Sequence, residues 1–296
     1  MKKIYVAGCG GMLGDAIYKT LQKNFILKCT DIDVNTDWLS FLDFNDYNSY
    51  LNDVEKFSPQ YLLHLGALTD LEFCEKNINL TYKTNIMSVE NACLIAKKLG
   101  ISLIYISTAG IFDGKKDFYN DWDQPNPINI YGESKYQGEK IINSLLNEFY
   151  IFRAGWMMGG GVKKDKKFIS KILKQIDSGK SSLNIVDDKL GTPTYTYDFA
   201  KNLEKVINTN YFGTYNMVCQ GLTSRFEVAE EIIKYFNMKN KISLNKVDSS
   251  FFKKDFFAKR PFSEQLINYK LEMRNLNTMR DWKICINDYL KSYYED

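Results

Sequence analysis

The stretch Ile4-Tyr5-Val6-Ala7-Gly8-Cys9-Gly10-Gly11-Met12-Leu13-Gly14 decides the fold. Residues 4–7 are β-branched and aromatic and read as a buried strand. From residue 12 onward apolar positions recur at helical spacing, with Leu13, Ile17 and Leu21 on one face. Between strand and helix, Gly8, Gly11 and Gly14 form G-x-x-G-x-x-G. Such a turn needs positive φ, a backbone bare enough to approach a pyrophosphate, and close packing of helix on strand. The helix N-terminus then offers unpaired N–H groups and a positive dipole end to an anion. Glycine triplets also serve tight turns for steric reasons alone, so a second signal is needed. Asp31 supplies it: 23 residues beyond Gly8, it closes a strand pattern over residues 25–31, where a carboxylate accepts from an adenosine ribose hydroxyl. Gly8, Gly11, Met12, Leu13, Gly14 and Asp31 are therefore expected to hold a dinucleotide. An acid there repels a 2′-phosphate and no arginine lies nearby, which favours NAD over NADP, with Asp33 and Lys28 as further charges in the same stretch.

Working outward, apolar runs at residues 61–65, 101–106 and 150–154 alternate with helical patterns at residues 86–99, ending at Gly100, and 131–147. Strands that are apolar throughout and separated by helices indicate a parallel sheet covered on both faces. Beyond about residue 157 the regularity falls: helical stretches at residues 168–178, 198–208 and 226–236 surround short strands such as 213–218. The expected architecture is a doubly wound α/β Rossmann sheet over residues 1–157 and a smaller mixed α/β substrate domain over 158–296, with part of 190–220 returning to the first.

Composition narrows the chemistry. The 296 residues contain one histidine, His64, which rules out a His-rich zinc site and leaves a Ser-His-Asp triad only that residue. His64 precedes Gly66-Ala67 at a strand end and reads as a packed group. Lys+Arg 39 against Asp+Glu 36 leaves a net charge of +3, and only five basic residues are arginine, so no basic stripe for nucleic acid is visible. The densest run, Lys163-Lys164-Asp165-Lys166-Lys167, reads as a solvated loop. Six widely spaced cysteines without a C-x-x-C pair read as reduced thiols. Glycines interrupt the N-terminus too early for a signal peptide, and no run approaches the ~18 apolar residues of a membrane span, so a cytoplasmic protein is expected.

Tyr131-Gly-Glu-Ser-Lys135 puts a phenol and an ammonium at i and i+4 on one helix face. The pairing alone is weak, since Tyr136/Lys140, Tyr197/Lys201 and Tyr235/Lys239 share it. Context selects the first: Tyr131 lies at a loop-to-helix entry 23 residues after Thr108, which ends the apolar strand with Ser107 where doubly wound sheets bind ligands. A phenol with pKa near 10 is a sluggish acid-base group at neutral pH. An ammonium about 4.5 Å away would favour the phenolate by roughly 2–3 pK units.

With these residues in view the chain resembles an extended short-chain dehydrogenase/reductase, and within that superfamily the dTDP-4-dehydrorhamnose reductase family. The matching stretches are 8–14, Leu65-Gly-Ala-Leu-Thr-Asp70, Ile106-Ser-Thr-Ala-Gly-Ile-Phe-Asp-Gly114, Tyr131-Gly-Glu-Ser-Lys-Tyr-Gln-Gly-Glu139, Arg153-Ala-Gly-Trp156, Gly191-Thr-Pro-Thr194 and Ala258-Lys-Arg-Pro261. The resemblance implies a Thr108–Tyr131–Lys135 catalytic triad. Tyr131 would be proton donor to a keto oxygen, Thr108 would hold that oxygen, and Lys135 would bond the nicotinamide ribose. It adds Gly66 and Ala67 to the NAD or NADP site. Thr69, Thr108, Trp156 and Arg260 fall to the nucleotide-sugar substrate, with Trp156 offering a ring face and Arg260 a guanidinium for a diphosphate. Partners are then a nucleotide sugar and a second copy in a homodimer, with no metal, nucleic acid or membrane. Related reductases commonly carry Asp-Tyr after the catalytic Thr, and 4,6-dehydratases carry acids there; this chain has Ala109-Gly110, which argues against dehydration. The implied activity is reduction of the 4-keto group of a nucleotide-activated deoxy sugar. An NAD-retaining epimerase and a non-catalytic dinucleotide-binding subunit, as in methionine adenosyltransferase, are the other readings.

Overall fold

The computed structural model describes residues 1–295. Along the first half of the chain run β1 (Lys3–Ala7), α1 (Met12–Leu21), β2 (Ile26–Asp31), β3 (Leu39–Phe41), α2 (Tyr47–Phe57), β4 (Tyr61–His64), α3 (Leu71–Lys76), α4 (Ile78–Tyr82), α5 (Ser88–Leu99), β5 (Ser102–Thr108), α6 (Ile130–Leu145) and β6 (Phe149–Ala154). Then follow β7 (Trp156–Met158), α7 (Gly161–Lys164), α8 (Phe168–Asp177), β8 (Ser182–Val186), β9 (Leu190–Gly191), β10 (Pro193–Tyr195), α9 (Thr196–Ile207), β11 (Gly213–Asn216), β12 (Thr223–Ser224), α10 (Arg225–Tyr235), β13 (Ser243–Val247), β14 (Ser263–Glu264), α11 (Tyr269–Met273) and α12 (Trp282–Tyr294).

Seven strands make one sheet in the order β11-β6-β5-β4-β1-β2-β3, and every pairing in it is parallel. Strand residues alternate between two cores: Ile4 and Val6 join the one containing Ile17 and Leu21 of α1, Phe199 of α9 and Tyr289 of α12. Tyr5 and Ala7 join the other, with Tyr50 of α2, Val89 and Cys93 of α5 and Ile142 of α6. Both faces are thus covered, which is why these strands carry no polar face. Each such buried side chain contributes about 1.5–3 kcal/mol. The architecture is the doubly wound α/β fold expected from the alternating pattern.

The strand order reverses between β1 and β4, and this switch point sets the crevice beyond their carboxyl ends. The C-terminal third adds short pairings above that edge: β7 with β10, β9 with β12 and β14, and β8 with β13. β11 instead pairs with β6 at the edge of the main sheet, and α9 packs on α1. No helix among the described residues is long and apolar enough to cross a membrane. All six cysteines are free and buried.

The run 163–167 is not the wholly solvated loop its charges predict. Asp165 is fully buried, accepting from the Tyr289 hydroxyl at 2.8 Å and from the Lys167 amide at 2.7 Å. These two hydrogen bonds hold the loop against α12, and they offset only part of the burial that raises the Asp165 pKa. Lys163 and Lys166 stay exposed.

Candidate active site

The glycine turn is built by exclusion of side chains. Gly8 has φ 77°, and a Cβ there would lie 2.4 Å from the Gly66 backbone. One at Gly14 would lie 2.0 Å from the Cys9 carbonyl oxygen, so α1 can approach β1 only without it. Over Gly11 the space is open, and Gly11, the N-cap of α1, makes no side-chain cap hydrogen bond. The amides of the first helical turn, including those of Met12 and Leu13, therefore face an open cradle. Asp31 is fixed beside it: one oxygen accepts from the Gly10 amide at 2.8 Å and the other from the Asp33 amide at 2.9 Å. Each oxygen keeps a lone pair for a further donor. This bare turn, uncapped helix end and anchored carboxylate fit a dinucleotide.

A second group of predicted residues lies on the same sheet edge. Thr108 ends β5 and its Oγ1 accepts from the Gly110 amide at 3.1 Å. Asn129 caps α6, accepting from the Gly132 amide at 2.7 Å and donating to the Lys259 carbonyl at 2.9 Å. A Cβ on Gly132 would lie 2.2 Å from the Gly110 carbonyl oxygen, so the first turn of α6 rests directly on the segment after β5. That contact brings Tyr131 beside Thr108, whose hydroxyl favours the phenolate.

The electrostatics differ from the sequence expectation. Burial dominates Tyr131 and pushes its pKa up to about 12, with Cys74 and Glu264 adding to the shift. Lys135 is not among the groups that act on it. The Lys135 Nζ instead sits 4.1 Å from the centroid of the Tyr105 ring on β5, and burial lowers its pKa to about 7, against the pull of Glu139. Residues at i and i+4 share a helix face, but the long lysine stem extends inward against the sheet. In this state the phenol holds its proton at neutral pH.

Other predicted residues take varied places. His64 is buried, its Nδ1 3.3 Å from the Tyr50 hydroxyl and its Nε2 3.1 Å from Ser88 Oγ, and burial lowers its pKa to about 3. It is a packed group. Thr69 is exposed at the cleft rim, where it accepts from Lys167 Nζ at 3.3 Å. Ala67 lies in the same segment after β4 as Gly66, whose missing Cβ makes room for the Phe44 ring at 2.1 Å. The Trp156 indole lies against Gly191 and donates to Glu264 Oε2 at 2.9 Å, while the Arg225 guanidinium stacks over its ring, 4.4 Å from the centroid. Arg260 is not free to bind a diphosphate: it donates to both oxygens of Glu72 at 2.8 and 2.9 Å and to the Ala258 carbonyl. In this structure a carboxylate within the chain fills the guanidinium fork.

Three residues at the site carry no sequence signal that singles them out. Asn85, in a π-helical turn at Lys83–Met87, accepts from the Leu68 amide at 2.8 Å and donates to Ser134 Oγ at 3.0 Å. It ties the segment after β4 to the helix carrying Tyr131. Glu264 lies close to the segment after β5, its Oε1 3.4 Å from where a Cβ on Gly110 would lie. Arg225 opens α10 behind the Ser224–Glu227 capping box.

Comparison with known proteins places this geometry in a lineage. A family profile described as RmlD substrate binding domain matches residues 1–295. Among solved structures, a dTDP-4-dehydrorhamnose reductase of Clostridium acetobutylicum superposes with a TM-score of 0.89 at 29% identity, over 98% of this chain and 99% of that one. One from Bacillus anthracis, in complex with NADP, gives 0.88 at 27% identity over 98% and 99%. Among curated proteins, a spore coat polysaccharide biosynthesis protein of Bacillus subtilis is 26% identical over 98% of both chains. A methionine adenosyltransferase 2 subunit beta of Danio rerio is 25% identical over 100% of this chain and 92% of that one.

Proposed function

Since the chain belongs to the RmlD substrate binding domain family, we propose that it is an NAD(P)H-dependent oxidoreductase that reduces the 4-keto group of a nucleotide-activated deoxy sugar. The observation that carries this reading is the half-buried Tyr131 phenol. It keeps its proton at neutral pH beside the Thr108 hydroxyl, on the sheet edge that also carries the dinucleotide turn.

Gly11, Met12 and Leu13 would hold the pyrophosphate of the cofactor through backbone amides, and Asp31 its adenosine ribose. When bound, the nicotinamide supplies hydride to the keto carbon. Tyr131 gives its phenolic proton to the keto oxygen, which Thr108 holds by hydrogen bond. The phenolate that develops is favoured by the Thr108 hydroxyl, while Lys135, its pKa lowered to about 7 by burial and its charge therefore only partial at neutral pH, would bond the nicotinamide ribose. Asp31 favours NAD, while the Bacillus anthracis relative is in complex with NADP.

The test is loss of NADH or NADPH absorbance on adding a dTDP-4-keto-6-deoxyhexose, run with both cofactors. Turnover by the wild-type chain that Tyr131→Phe leaves intact would remove the mechanism. The similarity to methionine adenosyltransferase 2 subunit beta supports a second reading, a dinucleotide-binding subunit without turnover. Tight association with a catalytic partner and no oxidation of either cofactor on any nucleotide-linked keto sugar would favour it.

A further inference from the structure

Four of the five arginines are committed within the chain. Arg153 bonds Glu139 at 3.0 and 2.7 Å, Arg260 bonds Glu72, Arg280 bonds Asp198 at 2.8 Å twice, and Arg274 bonds the Tyr215 hydroxyl. Arg225 differs. Among the described residues its guanidinium donates no hydrogen bond and has no carboxylate oxygen within 4 Å, although the residue is half-buried. Its plane is fixed instead by two rings, with Cζ 4.4 Å from the centroid of Trp156 and 5.1 Å from that of Phe168. The Ser224–Glu227 capping box holds its backbone at the start of α10.

The surroundings leave that charge under-compensated. Burial opposes it, Arg260 repels it, and Glu264 offsets this only in part, having already accepted the Trp156 indole proton. Lys167 reaches the same region from the start of α8, tethered to Thr69; burial lowers its pKa, Asp70 and Asp165 oppose that shift, and Lys171 and Arg225 add to it. Of the nearby acids, Glu72 is used by Arg260 and Asp70 caps α3, accepting from the Phe73 amide at 2.8 Å. Glu264 links this group to the site, since its charge acts on both Arg225 and Tyr131 and its Oε1 lies 3.4 Å from where a Cβ on Gly110 would be. A guanidinium with free donors in a fixed plane suits paired phosphate oxygens, and lysine adds a point charge.

We propose that Arg225, with Lys167 nearby, is the receptor for the diphosphate of the substrate, in place of Arg260, which is paired with Glu72. This rests on the reading of the chain as a nucleotide-sugar reductase. Arg225 acts in binding and takes no part in proton transfer.

The test is calorimetric titration of dTDP, UDP and thymidine into the protein saturated with NADH, so that the dinucleotide site is already filled. Arg225→Met should weaken dTDP and UDP binding about tenfold to a hundredfold, the usual effect of a lost charged hydrogen bond, and make it less salt-dependent. Thymidine and NADH affinities should not change. Arg225→Lys keeps the charge, loses the fork, and should fall between the two, which also covers a Met variant that fails to fold. Nucleoside diphosphate binding unchanged by either substitution overturns the assignment, as does a wild-type chain that binds neither diphosphate. The reductase reading is tested separately: Arg225-dependent dTDP binding without any keto-sugar turnover would sink that reading and leave the receptor standing. With turnover, Arg225→Met should raise KM far more than it lowers kcat.

Discussion

Two regions of the molecule are made of different material. The wall at Gly8–Gly14 is backbone: its shape depends on the missing side chains of Gly8 and Gly14, and what it offers an anion is the amides at a helix end. The group at Lys167, Arg225, Arg260 and Glu264 is instead made of long charged side chains from α10, β14 and the segments just before α8 and β14. A backbone wall is written in one contiguous motif and tolerates little added volume. A side-chain group is assembled from distant residues, and its chemistry depends on which charges pair with each other. Arg260 and Arg225 show the consequence: the one inside a family motif is neutralised by Glu72, and the one outside any motif is left free.

The largest effect should come at Tyr131, the proposed proton donor. Tyr131→Phe is expected to cut kcat by about 10²–10⁴ in steady-state turnover, with NADH affinity retained. Arg153 separates arginines that hold the structure from arginines that read a ligand. Its pair with Glu139 is buried, so Arg153→Met should cost about 3–5 kcal/mol in denaturant unfolding while dTDP affinity in the folded protein stays put. A dTDP affinity that fell with Arg153 would mean that the buried pair also takes part in ligand binding.

Lys135 gives a pH signature. Its folded pKa, about 7, lies below the ordinary 10.5, so between those values the unfolded chain holds a proton that the folded chain lacks. Stability therefore rises with pH across that window, by up to about 1.4 kcal/mol per pH unit, and Lys135→Met should flatten the rise. Unfolding curves at several pH values check it; a slope that survives the substitution would mean the lysine is charged in the folded chain.

The smallest effects probe the backbone wall by volume alone. Gly14→Ala drives a Cβ into the Cys9 carbonyl and should cost about 1–3 kcal/mol and weaken NADH binding. Gly11→Ala meets no atom within 4 Å, so its cost in stability should be below about 1 kcal/mol. Equal losses of stability from the two would show that the turn is not shaped by sterics.

The legible parts of the chain were local and periodic. Strands β1, β2, β4, β5 and β6 and helices α1, α5 and α6 follow from apolar runs and spacing, to within a few residues at their ends. The short β3 and the polar helix α2 offered too little periodicity to stand out, although Asp46 caps α2. α12 lay hidden in an aromatic, lysine-rich tail, because its buried positions are Trp282, Cys285, Ile286, Tyr289 and Leu290 among polar neighbours.

By itself the sequence determined the doubly wound sheet, the glycine turn with Asp31, and the membership of Thr108, Tyr131 and Lys135 in one motif set. Those features depend on neighbours in the chain, where steric and periodic rules operate. Only the tertiary structure decided which charges remain available. It paired Arg260 with Glu72 and Arg153 with Glu139, turned Lys135 onto Tyr105, and left Arg225 between two rings. Charge is neutralised through space, across separations such as the 188 residues between Glu72 and Arg260, and no spacing rule along the chain records such a pairing.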